Sequence, residues 1–293
     1  MDDTSIPVRT LDGKASEPIA PDESEARIHG AMADLDARDP EYIRNMLPLM
    51  WLLTTVYFRA EVRGMERIPE DGPVLFVANH SGGNMTPDSI VFTLAFNSYF
   101  GVERPLYSLA HALVTAWPGI GAMAKKWGII TAGHAASKAA FERDACVLVY
   151  PGGDVEVHRP FTARHEIRFD GRKGFLRLAR EAGVPIVPVV ADGGHDTYLP
   201  LTDGRAIARA LKLDKLARLK VLPVSLALPW GLNIGDFLGH LPLPAKIRME
   251  VLDPIDVGAK FGDDYDEAYR HVTGKMEETL TALSAERVLP PFL

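Results

Sequence analysis

A chain of 293 residues, 47% hydrophobic and with a net charge of −7, can bury a large core and has a globular composition, which excludes a disordered or fibrous protein. One cysteine, Cys146 in the apolar run Cys146-Val147-Leu148-Val149-Tyr150, excludes an internal disulfide framework and a cysteine-based zinc cluster and points to a reducing compartment. Residues 1–40 hold ten acids against four bases, and the remainder holds 29 acids against 28 bases. The basic excess of a nucleic-acid-binding domain is therefore missing, and no nucleic-acid partner is expected.

Residues 1–38 are acidic, rich in Pro, Ser and Asp, and without apolar periodicity, which predicts a disordered tail ahead of a single domain over 39–293. No secretory signal is expected, because a basic start followed by an apolar core is missing. Residues 39–60 read as an apolar helix whose uninterrupted part is about a dozen residues, short of the roughly 20 that span a bilayer. This segment fits either a core helix or one lying in a membrane interface, where Trp51 and Tyr57 would be at home.

The run Val74-Leu75-Phe76-Val77-Ala78 follows an Asp71-Gly72-Pro73 turn and predicts a strand covered on both faces. Asn79 and His80 then stand at the strand end, Ser81-Gly82-Gly83 forms a loop, and Thr86-Pro87-Asp88 opens a helix, with Thr86 suited to the N-cap and Pro87 to the first helical position. A strand end and a helix start can bring the His80 imidazole and the Asp88 carboxylate together as an oriented general base.

Further on, Ser89–Phe96 predicts a helix, Pro105–Ala110 a strand, Met123–Trp127 a helix end, Gly128–Thr131 a short strand and Ser137–Arg143 a helix. Cys146–Tyr150 is a buried strand that runs into the loop Pro151-Gly152-Gly153-Asp154-Val155-Glu156. Arg172–Ala182 is a basic amphipathic helix closed by Gly183, and Val184–Val190 another buried strand leading to His195-Asp196. That adjacent His-Asp pair reads as structural. Gly204–Lys220 reads as a basic surface helix or a dock for anionic lipid, Leu222–Pro244 as an irregular exposed or interface-facing segment, Ile247–Val251 as a last strand and 257–293 as a C-terminal helical region with its helix over Tyr265–Arg287. Strands alternating with helices indicate an α/β fold with a largely parallel central sheet flanked by helices, whose ligands bind at the carboxyl ends of the strands. No Gly-x-Ser-x-Gly elbow supports a serine hydrolase.

Four motifs in chain order resemble the glycerolipid acyltransferase superfamily, which includes the lysophosphatidic acid acyltransferases, over roughly residues 64–256. They are Asn79-His80 with Asp88, Gly128-Ile129-Ile130, Tyr150-Pro151-Gly152-Gly153, and Val184-Pro185-Ile186-Val187-Pro188-Val189. The resemblance implies transfer of a fatty acyl group from an acyl-CoA or acyl-carrier-protein thioester to a lipid hydroxyl, with no cofactor beyond that co-substrate and no metal. It also implies a peripheral or monotopic place on the cytoplasmic face of a membrane. The family's usual spacing leaves four residues between His and Asp, whereas seven intervene here; Gly133 and His134 stand where an arginine usually holds the acceptor's phosphate; and Gly152 replaces a glutamate, with Glu156 following. The Pro-Gly-Gly-x-x-Glu pattern is similar to the diacylglycerol acyltransferase branch.

An alcohol attacking a thioester needs a base, and an imidazole with an ordinary pKa near 6.5 can serve. His80 and Asp88 are the expected catalytic pair. Ser81, Gly82, Gly83, Pro151, Gly152, Gly153 and Glu156 are expected around the oxyanion and substrate, with each backbone donor to the oxyanion worth about 3 kcal/mol. Arg159, Arg164, Arg168, Arg172 and Lys173 are candidates for phosphates of CoA or a headgroup. A lipid-binding protein that has kept the fold without the activity is the rival reading.

Overall fold

The computed structural model describes residues 30, 32, 34–213 and 220–287. The apolar run at 74–78 forms the strand Leu75–Ala78, every residue of which is buried. Such a run is stable only with both faces covered, and Leu75 and Val77 enter one hydrophobic cluster while Phe76 and Ala78 enter another.

In chain order, β1 (Glu61–Arg63), β2 (Leu75–Ala78), β3 (Leu106–Ala110), β4 (Ile129–Thr131), β5 (Cys146–Val149) and β6 (Ile186–Asp192) belong to the main sheet, β7 (Leu199–Thr202), β8 (Val224–Ala227) and β9 (Gly231–Ile234) to a small one, and β10 (Arg248–Val251) to the main sheet again. The main sheet has the order β1-β10-β6-β2-β5-β3-β4. Its five strands from β6 to β4 are parallel, as expected, whereas β10 lies antiparallel to β6 and carries β1 parallel to itself. The small sheet is antiparallel, in the order β7-β8-β9. It occupies part of the stretch 222–244 that the sequence presents as irregular, because its alternation of apolar and polar residues is interrupted by prolines and glycines.

The helices are α1 (Pro40–Leu52), α2 (Pro87–Phe100), α3 (Ala112–Ala116), α4 (Ile120–Lys126), α5 (His134–Phe141), α6 (Gly153–Val157), α7 (Gly174–Ala182), α8 (Arg205–Ala210), α9 (Val257–Phe261) and α10 (Tyr265–Ala285). Apolar residues of α5, α7, α9 and α10 build the cluster on one face of the sheet, and those of α2 with Phe58 build the other. In α10 the buried residues Ala268, Val272, Met276, Leu280 and Leu283 recur at helical spacing, and Asp264 caps its start by accepting the Glu267 N–H. Gly183 ends α7 in the left-handed conformation the sequence suggests, at φ +65°.

Three boundaries differ from the sequence reading. Most of the acidic tail lies outside the described residues, but residues 34–36 are helical and Leu35, 2% exposed, packs in the core while its carbonyl accepts the Tyr107 hydroxyl at 3.0 Å. The folded domain thus begins before residue 39. In the C-terminal region the expected helix forms over Tyr265–Ala285, a separate short helix, Val257–Phe261, precedes it across Gly262, and residues 288–293 lie outside the described residues. Of the basic stretch 204–220, α8 forms over Arg205–Ala210, and 214–219 lie outside the described residues. The 39–60 segment is α1 continued by a π-helical turn, Leu53–Tyr57; it buries Ile43, Thr54 and Phe58 and exposes Trp51, Leu52 and Val56. Among the described residues no helix is long and apolar enough to cross a membrane.

Phe76 packs edge-on against Phe92 and Phe96 of α2, with ring centroids 5.0 and 5.7 Å away. Phe76→Ala is expected to lower stability by about 3–5 kcal/mol, measured as the shift of the urea midpoint at unchanged slope.

Candidate active site

Asn79 ends β2 without ending its pairing. Its Nδ2 donates to the Ala191 carbonyl at 2.8 Å and its Oδ1 accepts the Ala191 N–H at 2.7 Å, so the side chain extends the β2–β6 ladder past the backbone pair of Ala78 and Val189. This fixes where His80 leaves the sheet. The His80 N–H donates to Glu156 Oε2 at 3.1 Å, its carbonyl accepts from the Arg159 guanidinium at 2.7 Å, and its ring stacks on Tyr150 with centroids 3.9 Å apart. The Tyr150 hydroxyl is in turn 2.9 Å from Ser89 Oγ. Burial, and then the nearby Asp88, push the Tyr150 phenol well above its ordinary range.

Asp88, in the first turn of α2, is wholly buried. Its Oδ2 lies 3.0 Å from His80 Nδ1 and accepts the Ser81 N–H at 2.7 Å, while its Oδ1 accepts the Ser89 N–H at 2.7 Å. A helix N-terminus favours an anion at this place. With an acceptor against Nδ1, the neutral imidazole carries its proton there and leaves the Nε2 lone pair free. The His80 side chain is 13% exposed, and among the described residues its Nε2 has no protein partner. Thr86 does not cap α2: it adopts a left-handed conformation at φ +41° with no side-chain bond to the helix. The seven-residue loop turns so sharply to return Asp88 to His80 that a β-branched residue is held in a region it normally avoids.

That loop is anchored from outside. Gly82 donates its N–H to His195 Nδ1 at 3.1 Å, which agrees with a structural role for His195. Asn84 donates its N–H to Asp236 Oδ2 at 2.8 Å and its side-chain amide to the Asp236 carbonyl at 2.7 Å. Asp236 forms a second His–Asp pair, with His240 Nδ1 3.0 Å from Oδ1 and both side chains fully buried; Asn233 donates to the same oxygen at 2.9 Å. Burial opposes ionisation of Asp236, yet the hydrogen bonds from His240 and the Asn84 N–H outweigh it and hold the carboxyl below its usual range. Tyr198 stacks on His240, and His158 lies between the Tyr198 hydroxyl at 3.4 Å and Asn84 Oδ1 at 3.2 Å. Burial pushes His158 down to about 4, partly offset by Asp236.

The structure joins His80 and Asp88 but reassigns several neighbours. Ser81 and Gly82 spend their N–H groups on Asp88 and His195, and Gly153 spends its N–H on the Tyr150 carbonyl, so these three do not face an oxyanion. Pro151 has no N–H to give. Gly83 and Gly152 remain, and among the described residues neither backbone N–H meets a protein acceptor. Glu156 is buried and accepts the His80 and Arg168 N–H groups, and burial raises its pKa. It positions the histidine backbone instead of contacting an oxyanion. A Cβ on Gly152 would meet Glu156 Oε2 at 2.3 Å, which accounts for glycine there.

Arg159 is buried and gives its donors to the Ala163, His80, Glu156 and Arg164 carbonyls, so it braces the site and holds no phosphate. Arg168 pairs with Glu166 at 2.7 Å and Lys173 with Asp266 at 2.5 Å. Arg172 donates to the Pro151 and Gly152 carbonyls, and Arg164 lies over the Phe161 ring. His134, where the family's arginine is expected, pairs with Glu181 at 2.9 Å. Among the described residues no group of His, Cys, Asp and Glu side chains is placed to hold a metal. The sequence motifs contain Asn79 and Tyr150 without assigning them a role, and the Asp236–His240 clamp lies outside those motifs. The signal for the clamp was present: Asp236 is the one Asp, Glu, Lys or Arg between Val221 and Pro244 and stands four residues before His240.

Against known proteins, the family model described as Acyltransferase matches residues 59–192. An uncharacterized protein of Mycobacterium tuberculosis is 31% identical over 236 residues, covering 80% of this chain and 63% of that protein. One of Mycobacterium leprae is 28% identical over 247 residues, covering 83% and 64%. A Bos taurus protein named a DGAT1/2-independent enzyme synthesizing storage lipids is 28% identical over 213 residues, covering 70% and 54%. The chain therefore spans less than two thirds of the length of these relatives. The crystal structure of the 1-acyl-sn-glycerophosphate acyltransferase PlsC from Thermotoga maritima matches with a TM-score of 0.54 at 16% identity, over 91% of this chain and 90% of that one, and so shares the fold.

Two outcomes test the site as described. Gly83 has φ +62°, and an added Cβ would lie 2.8 Å from His240 Cε1 and 2.9 Å from Asp236 Oδ2; Gly83→Ala is expected to displace the loop and reduce turnover by about 100-fold, read from initial rates with folding checked by circular dichroism. A neutral buried His158 contributes stability that is complete above about 6.5 and is lost as pH falls toward about 4, because the unfolded chain takes up the proton first. The melting temperature should fall over that window, and His158→Gln should flatten the fall.

Proposed function

We propose that this chain, whose residues 59–192 match the family model described as Acyltransferase, is a glycerolipid acyltransferase that transfers a fatty acyl group from a thioester of CoA or acyl carrier protein to the hydroxyl of a glycerolipid, working at a membrane surface. The observation that carries this reading is the His80–Asp88 pair, closed at 3.0 Å across seven intervening residues with Nε2 left available.

In this reading Nε2 takes the proton of the acceptor hydroxyl as its oxygen attacks the thioester carbonyl carbon. Asp88 keeps Nδ1–H in place and stabilises the imidazolium. The tetrahedral oxyanion is met by backbone donors from the Gly83 and Gly152 turns, and it collapses to break the carbon–sulfur bond. The leaving thiolate recovers the proton from His80, so the products are an ester and a free thiol. Stacking on Tyr150 confines the ring to the orientation this requires.

A neutral acceptor, such as a diacylglycerol, is favoured over a phosphorylated one by a specific observation. Arg159 is spent on carbonyls, and Arg168 and Lys173 are paired with carboxylates. The name of the bovine relative refers to storage lipids, which accords with this choice.

Purified protein given acyl-CoA and a panel of acceptors should release free thiol, measured with a thiol reagent, and the products should appear as esters by mass spectrometry. His80→Ala should abolish release and Asp88→Asn should reduce it by about 10²–10⁴-fold, with His80→Ala unfolding at the wild-type temperature. Equal lipid binding by wild type and His80→Ala, with turnover by neither, would instead establish a non-catalytic lipid-binding protein.

A further inference from the structure

The small sheet has its polarity reversed. Its register aligns Leu199, Leu226 and Leu232 across the three strands, with Val224 opposite Ile234. The intervening positions Ser225 and Asn233 are buried, and Asn233 turns inward to Asp236. The inward row is thus Pro200, Ser225 and Asn233, polar on β8 and β9, while Leu232 and Ile234 on the outward face are 61% and 55% exposed. An antiparallel sheet with one face in water shows the opposite alternation, and a contiguous apolar patch of this kind marks a contact surface.

The patch continues along one edge of the molecule. Ile247 donates its N–H to the Phe58 carbonyl, and Arg248 pairs with Asp192, the last residue of β6, so the end of the N-terminal helical segment lies at the carboxyl ends of the parallel strands. Thr115 bonds through its hydroxyl to Thr131, the last residue of β4, at 2.7 Å, which places α3 at the same edge. His80 leaves β2 there as well. Three stretches converge on this edge: Asn45–Phe58 and His111–Ala124 contain no Asp, Glu, Lys or Arg, and Val221–Pro244 contains the buried Asp236 alone. Three of the four tryptophans, Trp51, Trp117 and Trp230, are exposed, one on each stretch. Beside the small sheet, α8 and the turn after it present exposed Arg209 and Lys212.

We propose that this edge, led by the outer face of β7–β9, seats in one leaflet of a lipid bilayer with anionic headgroups at its rim. The proposal deepens the acyl-transfer reading and rests on it for the role of the lipid as acceptor. Tryptophan rings settle at headgroup level, basic stems reach past apolar surface to phosphates, and a surface without charge sinks toward the acyl chains. A second copy of the chain fits less well, because the patch has no exposed carboxylate to meet Arg209 and Lys212. Seated this way, His80 opens toward the phase in which a glycerolipid acceptor is dissolved.

The test is flotation of the full chain with vesicles of phosphatidylcholine and phosphatidylglycerol. Wild type should float, and less so with phosphatidylcholine alone. Leu232→Glu and, as a milder change, Trp230→Ser should each weaken partitioning by about tenfold or more, while still releasing thiol at the wild-type rate with a detergent-dispersed acceptor. Flotation of both variants like wild type overturns the proposal, as does a wild-type dimer that Leu232→Glu converts to a monomer that still floats. Loss of flotation in a protein that never releases thiol would support the docking surface and remove the acyl-transfer reading alone.

Discussion

The fold converges on the carboxyl group of Asp88. One of its oxygens meets the His80 ring and the Ser81 N–H, and the other meets the Ser89 N–H, so a single buried side chain ties the end of β2 to the start of α2. A buried carboxylate is tolerable only with this many donors. The same donors determine where the imidazole points, because the backbone on each side of it is already fixed. Asn79 holds the chain before the ring to β6, and Ser81 holds the chain after it to Asp88. The remaining freedom, rotation of the ring, is removed by Tyr150.

The length of the His–Asp loop creates a second requirement. Seven residues between the pair make a protruding bend whose backbone N–H groups need acceptors, and a bend of that size in water would visit many conformations. The segment from His195 to His240, which carries β7–β9, supplies what the loop lacks. Asp236 takes the Asn84 N–H, His195 takes the Gly82 N–H, and Gly82 and Gly83 lie too close to their neighbours to carry a side chain. The second His–Asp pair therefore works as a clamp: it is fully buried and offers no ring nitrogen to a substrate, whereas His80 keeps one available.

Much of this was legible because it follows from periodicity and punctuation. The buried strands at 75–78, 146–149 and 186–192 and the glycine cap of α7 are local consequences of apolar runs and turn residues, and the strand end and helix start they define bring His80 near Asp88. The losses came where tertiary partners decide. Arg159 sits in a run of basic residues that looks like a phosphate cradle, and its burial among carbonyls depends on a turn at 160–164 that residue types do not reveal. Ser81 and Gly82 carry the composition of an oxyanion loop, yet Asp88 and His195 claim their N–H groups. The small sheet was hidden for a different reason: prolines and glycines interrupt its alternation, and the polar members of what remains face the protein, so the pattern gives no guide to which side is covered.

That reversal links the loop to the surface. Asn233 of β9 must face inward because it braces Asp236, which holds the His–Asp loop, and residues on successive positions of a strand point to opposite faces. Once the polar set is turned inward, the apolar set is turned outward, and a one-residue slip in register would expose the clamp while burying the leucines. The catalytic loop and the outer apolar face are thus two sides of one register. A chain with a shorter His–Asp connection would need no such clamp, and its sheet would be free to face the other way. Here the longer connection, the inward Asn233 and Asp236, and the outward Leu226, Leu232 and Ile234 form one solution, in which supporting the base also determines which surface of the molecule is kept from water.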